Sequence, residues 1–310
     1  MIRYNRLTPR LALRLAAPHT WAAAICPSVF GVVYCIVRGY PLNIIQGVML
    51  IAACILMQSS VNTLNDYVDY IHGADSAEDN VEVSDAVLVY ENINPRHALG
   101  LGTAYLIIGA ALGILACNGN WQVPAAVGLI GALAVIFYSA GPIPVSSLPL
   151  GEAVSGIVMG ALIPLGVAGA SDGRLHPDIL IWSLPMVISI ALIMMSNNGS
   201  DIEKDLKSGR DTLPSRLGRE RTCALYHFMV ILWIAMLCIL PVFLAGLPGL
   251  LSCILVFVFG RSKFMYLLKC RLEPIDRIRL MKTVTAANLT GNGAYILALV
   301  FVACFGRLAG

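Results

Sequence analysis

Nine stretches of mostly apolar residues, each near the length of a bilayer span, fill most of the chain: 19–37, 42–65, 97–117, 122–140, 151–170, 178–199, 222–246, 248–268 and 285–306. A spanning helix needs about 20 such residues. The composition agrees: 58% of the 310 residues are hydrophobic and 13% are charged, against about 25% charged in a soluble domain. The expected fold class is therefore all-α and integral to a membrane, with nine transmembrane helices in one bundle and residues 1–310 forming a single transmembrane domain. Pro124, Pro164, Pro185 and Pro241 interrupt spans, which neighbouring helices tolerate by re-satisfying the freed backbone groups. Gly128–Gly131 and Gly156–Gly160 are places where helices can approach closely.

Charge distribution gives an orientation. Arg3, Arg6, Arg10 and Arg14 precede the first span. Arg96 precedes the third, and Lys204, Lys207, Arg210, Arg216, Arg219 and Arg221 lie between the sixth and seventh. Arg261, Lys263, Lys269, Arg271, Arg277, Arg279 and Lys282 lie between the eighth and ninth. All fall on one side of a nine-span arrangement, with only Arg38, Arg174 and Arg307 on the other. The positive-inside rule then makes that side, with the N-terminus, cytoplasmic. The net charge of +3 gives no overall basic field for nucleic acid. The nine cysteines form no CxxC pair and are expected to be small buried apolar residues, and the five histidines show no metal-ligand spacing. No cleavage site follows the first apolar segment, which is expected to be retained. No Ser/His/Asp or Cys/His arrangement is visible.

Two cytoplasmic loops carry the chemistry, 66–96 and 200–221. The first begins with Asn65-Asp66-Tyr67-Val68-Asp69 and runs to Gly73 and Asp75. The second contains Asn197-Asn198-Gly199-Ser200-Asp201, then Asp205, Lys207, Arg210 and Thr212. Asn65 and Asp69 are one helical turn apart, as are Asn197, Asp201 and Asp205, so each motif presents a strip of oxygen ligands. Carboxylates near membrane depth cost about 2.5–3.5 kcal/mol each on insertion scales, so they face a partner. Hard oxygen ligands suit Mg²⁺ together with water and phosphate. Lys204, Lys207, Arg210 and Arg96 can hold the remaining phosphate oxygens. An acidic ion site in a transporter or scaffold is the competing reading of the same residues.

The sequence resembles the UbiA superfamily of membrane prenyltransferases. The resemblance rests on Asn65-Asp66-xx-Asp69 and Asp201-xxx-Asp205, with the nine-span pattern. Within the superfamily it looks most like the 1,4-dihydroxy-2-naphthoate polyprenyltransferases of menaquinone synthesis. That branch is suggested by Gly73-Ala74-Asp75, by Gly209-Arg210-x-Thr212-Leu213, and by Tyr138 to Pro144 followed by Leu150-Gly151-Glu152. The resemblance implies a UbiA-type fold and Mg²⁺-dependent transfer of a polyprenyl group from a polyprenyl diphosphate to an aromatic acceptor, giving demethylmenaquinone. It implies metal ligands at Asn65, Asp69, Asp75, Asp201 and Asp205. Asn198, Arg96, Lys204, Lys207 and Arg210 would bind substrate, and Tyr138 or Tyr67 would stabilise an allylic cation. The two motifs would be halves of one metal–diphosphate site. Other acceptors of the superfamily (4-hydroxybenzoate, haem, a lipid or a sugar phosphate) are alternatives.

There are departures. Where the branch carries a Gly-Pro-x-Arg segment, this chain has Ser84 to Pro95-Arg96. Asp75 lies six residues beyond Asp69, so Gly73 is expected to end the helix, and Asp66, Glu78 and Asp79 compete with Asp75 as ligand. A Tyr-Pro-x-x-Lys-Arg segment typical of 4-hydroxybenzoate enzymes does not follow Tyr138. Glu152 is open between meeting the acceptor, orienting a tyrosine and capping a helix. His72 is open between ligand or acid–base work and simple solvation.

Overall fold

A computed structural model describes residues 4–72, 87–139 and 144–305, and the expectations at Asp75, Glu78, Asp79, Gly141 and Pro142 lie outside them. The described chain is helical, with a single isolated bridge between Asn5 and Ile93. The helices are α1 (Pro9–Leu15), α2 (Ala22–Arg38), α3 (Ile44–His72), α4 (Val87–Glu91), α5 (Pro95–Ala116) and α6 (Gln122–Ser139). They continue with α7 (Gly151–Asp172), α8 (Leu184–Ser200), α9 (Ile202–Ser208), α10 (Leu213–Ala245), α11 (Leu247–Leu267) and α12 (Arg277–Phe305). In α7 and α11 the backbone widens to a π-helix at Val158–Leu162 and Val256–Gly260.

Among the described residues, six helices (α3, α5, α7, α10, α11 and the Pro274–Phe305 segment) are long and apolar enough to cross a membrane, and α2, α6 and α8 are shorter apolar helices. These fall where the sequence placed its apolar segments. The protein is an all-helical, multi-pass membrane protein. In lipid there is no water for exposed amides, so a spanning segment satisfies its backbone within its own helix. Side chains such as Ile44, Phe243 and Leu247 are at least three-quarters exposed, as a lipid-facing surface requires. Of the nine free cysteines only Cys26, Cys35 and Cys117 are buried, and Cys304 is exposed. The expectation of small interior residues therefore holds for three of them.

Both expected loops are partly helical. α3 continues to His72, so Asn65, Asp66 and Asp69 lie on helix, and α4 occupies part of the segment before Arg96. The 200–221 stretch is taken up by α9 and the start of α10. The reason is capping: Gly209, at φ 73°, ends α9, and the Thr212 hydroxyl accepts from the Ser215 amide to open α10. The basic 261–284 stretch contains the end of α11, a short turn at Pro274–Asp276 and the beginning of α12.

The chain divides into two compact units, Met1–Ile25 with Ile44–Gly119 and Cys26–Asn43 with Asn120–Gly310. In the first, α3 and α5 pack closely because Gly102 and Gly109 face Leu64 and Leu56. Side chains also bond backbone carbonyls across the unit: Ser60 Oγ donates to Gly102 O at 2.7 Å and Gln46 Nε2 to Ala116 O at 3.0 Å. The second unit has a core of Trp233, Tyr226, Tyr295, Phe30, Met186 and Leu192, all fully buried.

In the second unit α7 meets α8 at Gly156 and Gly160. A Cβ on Gly160 would come within 2.5 Å of the Val187 backbone, and one on Gly156 within 2.7 Å of Val187 O. Gly128 and Gly131, the other pair marked in the sequence, face open space. Gly160→Val should therefore force α7 from α8 and cost about 1–3 kcal/mol or more. Gly128→Ala should cost nothing measurable. Thermal unfolding of each variant in detergent checks the contrast.

Candidate functional site

In the first unit Asn65 and Asp69 share a face of α3 and both are partly buried. Asp66, one residue from Asn65, is turned elsewhere. It is 6% exposed, and its Oδ2 accepts from the Val87 amide at the start of α4 at 3.1 Å. This cap-like bond employs one of the carboxylates that competed for the ligand role. Tyr67 packs with Tyr70 against a small apolar cluster of Leu15, Val87, Leu88, Ile93 and Ala98. Arg96 is exposed in the first turn of α5, just after the Asn94 cap.

In the second unit α8 stops at Ser200. Asp201 departs from helical geometry at φ −106° and ψ 15°, and α9 restarts at Ile202. This break divides the oxygen strip that was expected on one face. Asn197 and Asp201 stay together, because one guanidinium serves both: Arg277 Nη2 donates to Asn197 Oδ1 at 2.8 Å and lies 3.5 Å from Asp201 Oδ2. Asp205 turns inward and is 1% exposed. Its Oδ1 accepts from Arg210 Nη1 at 3.0 Å and its Oδ2 from the Thr212 hydroxyl at 3.0 Å. Arg210 is itself fixed by a 2.9 Å bond to Ser146 O. Burial pushes the Asp205 carboxyl above its usual range, and the Arg210 guanidinium opposes that rise.

Asn198 points in a third direction. It is buried, and its Nδ2 donates to Glu152 Oε1 on α7 at 2.8 Å. Glu152 is 3% exposed, and its Oε2 has no hydrogen-bond partner among the described residues. Tyr138, near the end of α6, is half-buried beside Gly151, Ser155 and Glu152. Glu152 thus holds Asn198 rather than capping a helix end.

An open cleft of about 500 Å³ lies over α9, lined by Ser200, Asp201, Glu203, Lys204, Lys207, Ser208 and Pro274. Lys204 and Lys207 are exposed on its wall. Glu203 is engaged by Arg219, whose Nη2 reaches both carboxylate oxygens at 2.7 Å. That pairing holds the Glu203 carboxyl below its usual range. Arg219 also binds Gly199 O and Leu272 O. Asp201 is therefore the cleft carboxylate with a loose partner, flanked by two lysines.

Among the described residues no three His, Cys, Asp or Glu side chains converge on a point. Mg²⁺ does not require them, because it keeps waters and takes substrate phosphates beside one or two carboxylates. The oxygens of Asn197 and Asp201 already converge on one cation, the Arg277 guanidinium. They fit the protein share of such a site. Both Asp205 oxygens are already bonded.

The sequence motifs marked Asn197, Asn198, Asp201, Asp205, Lys204, Lys207 and Arg210. The missed participants are Arg277 and the inward pairing of Glu152 with Asn198. Arg277 was one of seven cations in a basic stretch, and nothing in the spacing separated it from the others.

Removing Asn198 would leave the buried Glu152 with both oxygens bare. Asn198→Ala should cost about 1–3 kcal/mol, and Glu152→Leu added to it should recover part of the loss. Thermal unfolding of the single and double variants measures this.

A family model for the UbiA prenyltransferase family matches residues 24–283. The chain is 31% identical over 208 residues to a 1,4-dihydroxy-2-naphthoate octaprenyltransferase of Bacillus subtilis, covering 67% of this chain and 66% of that protein. It is 25% identical over 224 residues to the UbiA prenyltransferase domain-containing protein 1 of Xenopus tropicalis, covering 72% and 63%. The chain thus spans just under two thirds of the length of these relatives. Its fold is similar to that of a UbiA homolog from Archaeoglobus fulgidus whose structure is bound to GPP and Mg²⁺, with TM-score 0.62, 16% identity and coverage of 93% and 99%. From the family match across residues 24–283, this chain belongs to the UbiA prenyltransferase family.

Proposed function

We propose that the protein transfers a polyprenyl group from an allylic polyprenyl diphosphate to an aromatic acceptor, 1,4-dihydroxy-2-naphthoate, in a Mg²⁺-dependent reaction at the cytoplasmic face. The observation that carries this reading is the Asn197–Asp201 oxygen pair beside a cleft walled by Lys204 and Lys207. Carboxylate and amide oxygens next to ammonium groups suit a divalent cation and a diphosphate together; neither charge sign alone would serve. The Bacillus subtilis relative's name supports the acceptor, and the ligands of the Archaeoglobus fulgidus homolog support the donor and the metal.

In this reading Asn197 and Asp201 would hold Mg²⁺ from the second motif, and the resemblance carries Asn65, Asp69 and Asp75 over as the candidate ligands of the first. Bound there, the metal would neutralise charge on the departing diphosphate. Lys204 and Lys207 bind the remaining phosphate oxygens as mobile point charges, and Arg96 is assigned the same task. Arg210 and Thr212 hold Asp205 and with it the turn that presents the two lysines; Asp205 is retained as a candidate ligand that must exchange one of these bonds. Breaking the C–O bond leaves an allylic cation, whose charge the face of Tyr138 stabilises. Apolar helices exclude the water that would quench it. The ring carbon of the acceptor then bonds to the allylic carbon, and the acceptor loses CO₂ and a proton.

Purified protein in detergent with labelled prenyl diphosphate, Mg²⁺ and an acceptor panel should give a prenylated naphthoquinol, and chelation should abolish it. Asp69→Asn and Asp201→Asn should each lower turnover by about 100-fold or more with helical content unchanged by circular dichroism. Normal turnover in either variant refutes the metal assignment. Transfer only to 4-hydroxybenzoate refutes the acceptor, and no transfer or diphosphate release with any acceptor refutes the transferase reading in favour of an ion site.

A further inference from the structure

We propose that Arg277 is a resident counter-ion for the Asn197–Asp201 oxygen pair, passing to a diphosphate oxygen when substrate arrives and so making metal binding conditional on diphosphate. The proposal rests on the transferase reading for the identity of the anion.

Three of the arginines in this region, Arg219, Arg210 and Arg277, engage carboxylates in different ways. Arg219 grips Glu203 through two bonds of 2.7 Å and also binds two backbone carbonyls. Arg210 joins Asp205 at 3.0 Å and Ser146 O at 2.9 Å. Both are fixed in place by several short bonds, the strong forked arrangement of guanidinium with oxygen acceptors. Among the described residues Arg277 uses only Nη2, at 2.8 Å from Asn197 and 3.5 Å from Asp201, and its buried Nε has no hydrogen-bond partner. A guanidinium has five N–H donors in a fixed fork, and most of this fork is unused where it stands. Such a group gains by moving to a ligand with more acceptor oxygens, and a diphosphate offers them.

Position supports the exchange. Arg277 opens α12, directly after the Pro274–Asp276 turn, and Pro274 lines the cleft with Asp201, Lys204 and Lys207. Its side chain is about one-third exposed. The charged groups lining the cleft are Asp201, Glu203, Lys204 and Lys207, with Glu203 occupied by Arg219. A divalent cation and the guanidinium cannot both sit between Asn197 and Asp201, since like charges would lie in contact. The metal enters that place only when Arg277 has somewhere else to go.

The test uses full-length protein in detergent with Mn²⁺ as probe, read as free Mn²⁺ by electron paramagnetic resonance. Wild-type protein should bind Mn²⁺ weakly alone and at least about tenfold more tightly with geranyl S-thiolodiphosphate, a coupling within the usual range between linked sites. Arg277→Gln should bind Mn²⁺ alone about tenfold more tightly than wild type, should lose most of the coupling, and should raise the KM for prenyl diphosphate about tenfold. Arg277→Lys, which keeps the charge but not the fork, should fall between and guards against misfolding of the glutamine variant. Unchanged Mn²⁺ affinity and coupling in Arg277→Gln and Arg277→Lys overturns the proposal. A wild-type protein that couples Mn²⁺ to the diphosphate but transfers to no acceptor overturns the transferase reading and leaves the counter-ion role standing.

Discussion

In hydrocarbon a polar group without a partner has no water to turn to, and much of this protein's construction follows from that. Backbone amides are satisfied inside helices. Polar side chains in the interior are tied to one another or to carbonyls. Ser189 Oγ, on α8, accepts from both Asn288 and Asn292 of α12, and Asn292 accepts from Trp233 of α10. Asn198 holds Glu152, and Ser196 bonds Tyr226. Each bond crosses from one helix to another, so the same groups that are costly to bury also set which helices meet.

Around the candidate site the charged groups are partnered unequally. Glu203 and Asp205 are held by short, multiple bonds, which fixes the geometry around α9. Asp201, two residues before Glu203, has one more distant guanidinium partner among the described residues and faces an open cleft. Strongly partnered carboxylates build the frame, and the weakly partnered one is left available for a ligand. The break in the helix at Asp201 separates these tasks, because it turns Asp205 inward while Asp201 remains with Asn197.

Much of the fold was legible in the sequence because a bilayer imposes a length and a composition on each span, and both can be counted. The two polar motifs were legible because Asn and Asp at one-turn spacing are conspicuous among apolar residues. One-turn spacing implies one uninterrupted helix through Asn197, Asp201 and Asp205, and the non-helical backbone of Asp201 ends that strip after its second member. Segments 66–96 and 200–221 read as loops because charge there outweighs hydropathy; in 200–221 the Gly209 cap closes the short α9 and the Thr212 cap opens the long α10. Gly128–Gly131 and Gly156–Gly160 looked equivalent, and only the second pair lies against a neighbouring backbone.

The sequence by itself determined that this is a multi-helix membrane protein with two Asp-rich motifs, since hydropathy and short-range spacing are local properties. Tertiary structure decided which oxygens of the second motif stay available. Arg210 and Thr212 take Asp205, Glu152 takes Asn198, and Arg277, 76 residues after Asp201, meets Asp201 and Asn197. The contacts of Glu152 and Arg277 with that motif join residues far apart in the chain. They are fixed by where helices end and pack, and no local spacing in the sequence records that.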